Sequence, residues 1–152
     1  MYVFVYGTLK HDEPNHHWLT NEENGKATFV TKGKTQTPYP LIIASRYNIP
    51  FLLDKPGTGK NIEGEVYEID EKMLSKLDIL EEYPKLYVRR EEVILVPPEV
   101  KSEGVLNATI YFLPSFQPDL LTKPFLESYS SNGPHNLRYV ASEDDLSDAK
   151  DI

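Results

Sequence analysis

At 152 residues, with 39% hydrophobic and 11% aromatic side chains, the chain suits one domain with a real core and is too apolar to be disordered. It contains no cysteine, which removes disulfides, thiolate metal ligands and cysteine nucleophiles together. A formal net charge of −8 argues against a general nucleic-acid binder, which needs a basic face. It leaves an anionic small substrate open, because the field inside a pocket can oppose the global sign.

The chain begins with a β-branched and aromatic run, Val3, Phe4, Val5 and Tyr6, that breaks at Gly7. This predicts a strand over 2–6 opening into a tight loop. At such a break the backbone N–H groups of Gly7, Thr8 and Leu9 need not all join a ladder, and free N–H groups in a concave turn make a small anion site. An ordinary turn after a strand fits the same spacing. His16 and His17 are adjacent and so point apart on any regular element, which reads as a solvated loop rather than a metal pair. Further strands are expected at 27–34, 41–44, 62–69, 89–96 and 108–112. The segment 57–60, Gly-Thr-Gly-Lys, is too short for a phosphate loop and is followed by a strand, so it reads as a turn. Residues 97–104 read as a polar connection between the last two strands. Twelve prolines, above the average usage of about 5%, punctuate many short elements. Residues 1–140 are expected to form one α+β domain around a mixed sheet or small barrel. Residues 141–152, with Glu143, Asp144, Asp145, Asp148 and Asp151, are expected to be a mobile acidic tail without a site. No stretch approaches the roughly 20 apolar residues that span a bilayer, and no basic-then-apolar leader opens the chain. A soluble, cytoplasmic protein is therefore expected, with no nucleic-acid or membrane partner, and as a monomer.

One helix is well marked. Asp70 is placed as its N-cap with Glu71 in the first turn, Ile69 and Leu74 sit at staple positions, and Pro84 is expected to stop it after Glu81 or Glu82. Met73, Leu74, Leu77 and Leu80 cover an arc of about 120° on the helical wheel. Glu81 falls inside that arc; Glu82 and Glu71 fall outside it, and Asp78 lies at its margin. A carboxylate facing the core is costly unless paired or protonated, and desolvation raises its pKa toward the range of a general base working near neutral pH. At a helix end, a long side chain can equally turn out to water. Ser45 and Thr8 lack the Gly-x-Ser-x-Gly elbow of a serine hydrolase.

The ordered motifs carry a resemblance. Tyr6-Gly7-Thr8-Leu9-Lys10, followed by Pro14-Asn15, Tyr39-Pro40-Leu41, Asn48-Ile49-Pro50, Glu63-Gly64-Glu65-Val66-Tyr67, Leu77-Asp78-Ile79-Leu80-Glu81 and the segment Gly133-Pro134-His135-Asn136-Leu137-Arg138-Tyr139, resembles the γ-glutamylcyclotransferase-like family, also called AIG2-like or BtrG-like. Within that family the series is most similar to the γ-glutamylamine cyclotransferase branch. The resemblance covers 1–139. It implies a small mixed β-barrel with flanking helices and a cavity. It also implies release of an amine from a γ-glutamyl amide, characteristically lysine from γ-glutamyl-ε-lysine, while the glutamyl part closes to 5-oxoproline. By the same resemblance, Tyr6, Gly7, Thr8 and Leu9 hold the glutamyl part and Glu81 is the catalytic glutamate. No metal or nucleotide cofactor is expected, because the nucleophile is the substrate's own α-amine. Two other readings accompany this one: a sister enzyme for γ-glutamyl-α-amino acids or glutathione, and a non-catalytic binding protein on the same scaffold.

Overall fold

The computed structural model describes residues 1–140; the expected acidic tail lies outside the described residues. Strand β1 (Tyr2–Val5) alternates its side chains. Val3 and Val5 pack into one apolar cluster with Leu77 and Met73. Phe4 packs into a second with Val66, Ile94, Ile110 and Phe112. This period of two, continued in the neighbouring strands, gives the sheet a buried cluster on each face.

Five strands close a barrel in the order β1, β5, β2, β6, β7. β5 (Glu63–Ile69) runs antiparallel to β1, from Tyr2 opposite Glu68 to Val5 opposite Glu65. On its other side β5 pairs with β2 (Ala27–Thr35), with a bulge between Phe29 and Thr31. β2 joins β6 (Val88–Leu95) through a short pairing of Lys34 and Thr35 with Leu95 and Ile94. β6 pairs along its length with β7 (Val105–Phe112). The seam is parallel: Val3 of β1 lies opposite Thr109 of β7. One parallel join among antiparallel ones makes this the mixed barrel that the resemblance implied.

A separate hairpin of β3 (Leu41–Ala44) and β4 (Ile49–Leu52) packs on the barrel. The Leu113 amide donates to Leu52 O at 2.8 Å, and the Leu126 amide to Leu41 O at 2.9 Å. The sequence reading contained no β4. Pro50 sits in its middle, and a proline within an apolar run argues against a strand. Here the hairpin has only two strands, so Pro50, paired with Ile43, leaves no ladder partner stranded on a third. Strand β7 also begins three residues earlier than expected, because Val105, Leu106 and Asn107 follow the Gly104 turn directly into the β6 ladder.

Among the described residues, two α-helices flank the barrel. The first, α1 (His17–Thr20), is a single turn where a solvated loop was expected. His16 precedes it half-buried, with Nδ1 2.8 Å from Leu9 O. The second, α2 (Glu71–Leu80), starts as the sequence indicates: the Asp70 side chain accepts the Met73 amide. Met73 and Leu77 are fully buried, and Ile79, off the apolar stripe, is exposed. The helix ends one to two residues before the expected stop, and by a different device. The Tyr83 amide reaches back to Asp78 O at 2.9 Å and the Glu82 amide to Ile79 O at 3.1 Å. This is a Schellman motif, with Glu82 at φ 53° in the left-handed position usually given to glycine. Helix termination is thus complete before Pro84 acts.

Candidate active site

The loop after β1 is set by its own hydrogen bonds. Gly7 O accepts the Lys10 amide at 3.1 Å and Thr8 O accepts the Asn15 amide at 2.8 Å. Asn15 Nδ2 also donates to Thr8 Oγ1 at 3.0 Å. Because β1 ends at Val5, the amides of Gly7, Thr8 and Leu9 lie outside its ladder. Gly7 is required by proximity rather than by φ: a Cβ there would stand 2.9 Å from Pro50 Cγ on β4. The hairpin thus presses Ile49 and Pro50 against the loop, and the space left is a cavity of about 70 Å³.

Glu81 lines that same cavity. It is the C-cap of α2, at φ −87° and ψ 0°, in the sparsely populated bridge region where many active-site residues sit. Its amide donates to Leu77 O and Ile79 O. The Schellman turn that follows fixes the direction in which its side chain leaves the helix. The cavity therefore brings Tyr6, Gly7, Thr8, Leu9 and Glu81, all five site residues expected from the sequence, around one space. Glu81 is half-buried, an intermediate between the core-facing and solvent-facing alternatives.

The structure adds two aromatics that the sequence suggests as core rather than as site. Tyr87 and Tyr111 line the same cavity. Tyr6 donates its hydroxyl to Tyr111 O at 2.9 Å, tying the start of the loop to β7. Burial, and then the nearby Glu81 charge, push the Tyr6 phenol well above its ordinary range. The Tyr111 phenol is raised too, by burial first, then by its hydrogen bond to Asp78, with the Asp78 and Glu81 charges adding. Both remain neutral hydroxyls at physiological pH.

Behind Tyr111 stands an ion pair. Asp78 accepts from Arg89 Nε at 2.8 Å and Nη2 at 3.2 Å, and from Tyr111 OH at 2.6 Å. The Arg89 guanidinium lies over the Tyr83 ring, 4.4 Å from its centre. A bidentate Arg–carboxylate pair is geometrically specific, so this group orients Tyr111 and braces the end of α2. The signal was faint in sequence: Asp78 lay at the edge of the apolar arc, three residues before Glu81. Its partners are on β6 and β7, beyond what helical periodicity can reach.

A second carboxylate is also shielded. Glu65 on β5 is 8% exposed and accepts the His11 amide at 2.8 Å and the Tyr67 hydroxyl at 3.0 Å. It anchors the middle of the 7–15 loop at His11 and does not line the cavity that Glu81 lines. Among the described residues no cluster of histidine and acidic side chains could hold a metal ion, and no helix is long and apolar enough to cross a membrane.

A second cavity, of about 90 Å³, adjoins the first at Glu81. It shares Glu81, Thr8, Ile49 and Tyr87 with the first. Tyr139, from the segment whose role the sequence left open, lines this second cavity. Asn15 Nδ2 lies 3.3 Å from the Tyr139 hydroxyl. Asn48 Nδ2 donates to Arg138 O, and the Val140 amide to Tyr47 O, both at 2.8 Å.

Known proteins share this arrangement of chain. A protein from Danio rerio named gamma-glutamylaminecyclotransferase C is 46% identical over 144 residues, covering 94% of this chain and 95% of its own. The Homo sapiens protein named gamma-glutamylaminecyclotransferase is 43% identical over 148 residues, covering 93% and 97%. A crystal structure of an AIG2-like protein from Mus musculus superposes with a TM-score of 0.89 at 40% identity, covering 94% of this chain and 97% of that one. Residues 3–131 match the family described as gamma-glutamyl cyclotransferase, AIG2-like. With that match over most of its length, and a barrel that carries the loop and the helix-end glutamate together, the chain belongs to the AIG2-like gamma-glutamyl cyclotransferase family.

Proposed function

We propose that this protein is a γ-glutamylamine cyclotransferase, releasing lysine from γ-glutamyl-ε-lysine as the glutamyl part closes to 5-oxoproline. The observation that carries the reading is that Glu81 and the loop residues Tyr6, Gly7, Thr8 and Leu9 line one small cavity. The names and the extent of the zebrafish and human relatives support it.

The chemistry asks little of the protein. The α-amine of the substrate attacks its own γ-carbonyl carbon, so holding the chain folded makes the step intramolecular and supplies several kcal/mol through orientation. The new C–N bond closes the lactam, and the carbonyl oxygen becomes an oxyanion. Collapse of that intermediate breaks the bond to the departing nitrogen. Two protons leave the α-ammonium and two arrive on the departing amine, so the reaction balances without exchange with any other reagent. Glu81 takes a proton from the attacking nitrogen and returns one to the leaving nitrogen, acting as base and then acid. The amides of Gly7, Thr8 and Leu9 receive the glutamyl α-carboxylate or the oxyanion. Tyr6 and Tyr111, held neutral, keep the wall polar without adding negative charge beside Glu81. The small substrate calls for no partner chain, nucleic acid or membrane, and the protein works as a monomer in the cytoplasm.

The test supplies γ-glutamyl-ε-lysine, γ-glutamyl-alanine and glutathione separately and measures 5-oxoproline. The lysine isopeptide is expected to turn over fastest. Glu81→Gln is expected to lower kcat by about 100-fold or more, the scale of a lost general base, with an unchanged melting curve. No turnover of any of the three, with ligand binding intact, would instead favour a binding protein.

A further inference from the structure

We propose that the second cavity is the slot for the departing amine, and that Tyr139 is a specificity-determining residue of its wall. This rests on the cyclotransferase reading above and names the part of the site that chooses the leaving group. If the glutamyl part lies against the Tyr6–Leu9 loop on one side of Glu81, the scissile nitrogen must emerge on the side where Glu81 can protonate it. The second cavity, also lined by Glu81, has Phe51, Leu80, Leu86, Tyr87, Asn15 and Tyr139 in its walls. Such walls favour an unbranched alkyl stem, which gains by leaving water.

Charge sharpens the choice. None of the described residues lining the slot is basic, and Glu81 and Glu82 both line it. A γ-glutamyl-α-amino acid would place its leaving-group carboxylate one carbon from the scissile nitrogen, inside this acidic and partly dry space. That arrangement is penalised by both desolvation and like charge. The ε-amine of lysine carries its carboxylate at the far end of a four-methylene stem, beyond the rim. Tyr139 is held for this task from three directions: Asn15 meets its hydroxyl, and the backbone on either side is tied to Asn48 and Tyr47. Asn15 also donates to Thr8 Oγ1, so the wall of the slot and the glutamyl loop share one side chain.

The experiment compares Tyr139→Ala and Tyr139→Phe with the unaltered protein on γ-glutamyl-ε-lysine and γ-glutamyl-alanine, and measures 5-oxoproline binding by calorimetry. Tyr139→Ala is expected to lose about tenfold in kcat/KM on the lysine isopeptide, carried by KM. It is expected to lose under about threefold on γ-glutamyl-alanine. Tyr139→Phe keeps the ring wall and should retain most of the preference. The affinity for 5-oxoproline, which reports the first cavity and an intact barrel, should stay within about twofold. An equal loss on both substrates, a parallel loss of 5-oxoproline affinity, or no change at all would overturn the assignment of the slot while leaving the cyclotransferase reading standing. An unaltered protein that makes no 5-oxoproline from either amide would overturn both.

Discussion

Glu81 and Gly7 line one cavity, and each is held by a different part of the fold. Glu81 takes its direction from the turn that ends α2, and Gly7 its closeness from Pro50. Adding one methyl group at Gly7 forces the Pro50 ring away, because 2.9 Å is inside ordinary contact. Gly7→Ala is expected to cost about 1–3 kcal/mol, the usual scale of overpacking, and to weaken 5-oxoproline binding. Urea unfolding and calorimetry measure the two effects, and an unchanged affinity would mean that the loop tolerates a wider gap than its contact suggests. At this scale the sequence was informative about Glu81 because an acidic residue inside an apolar arc is conspicuous. It carried only a faint signal for Asp78 and suggested Tyr111 as core, because their meeting with Arg89 depends on three elements. It left the role of Tyr139 open, since the hydroxyl of that residue meets a side chain 124 residues away.

Helix α2 shows how an element fixes a residue. Its start is bound by Asp70, whose carboxyl is held below the usual range by the Met73 amide and then by the Lys26 amide. That contribution is present above the ordinary carboxylate range and is lost as the pH falls through the lowered pKa. Gly25, at φ 125°, leaves room for this cap: a Cβ there would fall 2.5 Å from the Met73 nitrogen and 2.6 Å from Asp70 Oδ1. The middle of the helix is anchored by Leu77, fully buried among Val3, Val5 and Tyr111. Leu77→Ala should destabilise by about 2–5 kcal/mol, measurable by chemical denaturation; a smaller loss would show that the cluster collapses around the gap. The end carries a strained choice, since Glu82 occupies a left-handed conformation that costs a side-chain-bearing residue about 1 kcal/mol. Glu82→Gly is expected to raise stability by about 0.5–1 kcal/mol, and a lower unfolding midpoint would contradict the strain. The N-cap and the apolar stripe were legible because they follow from local spacing. The Schellman end was not, because the residue at its key position lacks the usual glycine signature.

Across the whole molecule, four buried or half-buried phenols share one property. Burial is the largest cause raising each of Tyr6, Tyr67, Tyr111 and Tyr129, and nearby carboxylates add to it. Each therefore holds its proton more tightly in the folded chain than in the unfolded one, where tyrosine ionises near pH 10. Stability is fully present below about pH 10 and declines above it, as the unfolded chain releases protons first. Urea midpoints measured from pH 8 to 11 should be flat and then fall; a flat line throughout would mean that these hydroxyls are better hydrated than their surroundings indicate. The barrel itself was legible as a class from many short strands and few helices. Its closure was not, since no local pattern announces that Val3 will lie beside Thr109.

That parallel seam has a consequence for the order of events during folding. The two strands that meet there are separated by about a hundred residues of intervening chain, and the Tyr6 hydroxyl is latched to the later one at Tyr111. A polypeptide still emerging from the ribosome without β7 has two open sheet edges and no latch on the turn after β1. Catalytic competence should therefore arrive in a single late step, together with the disappearance of those edges, rather than ripening gradually as the chain grows.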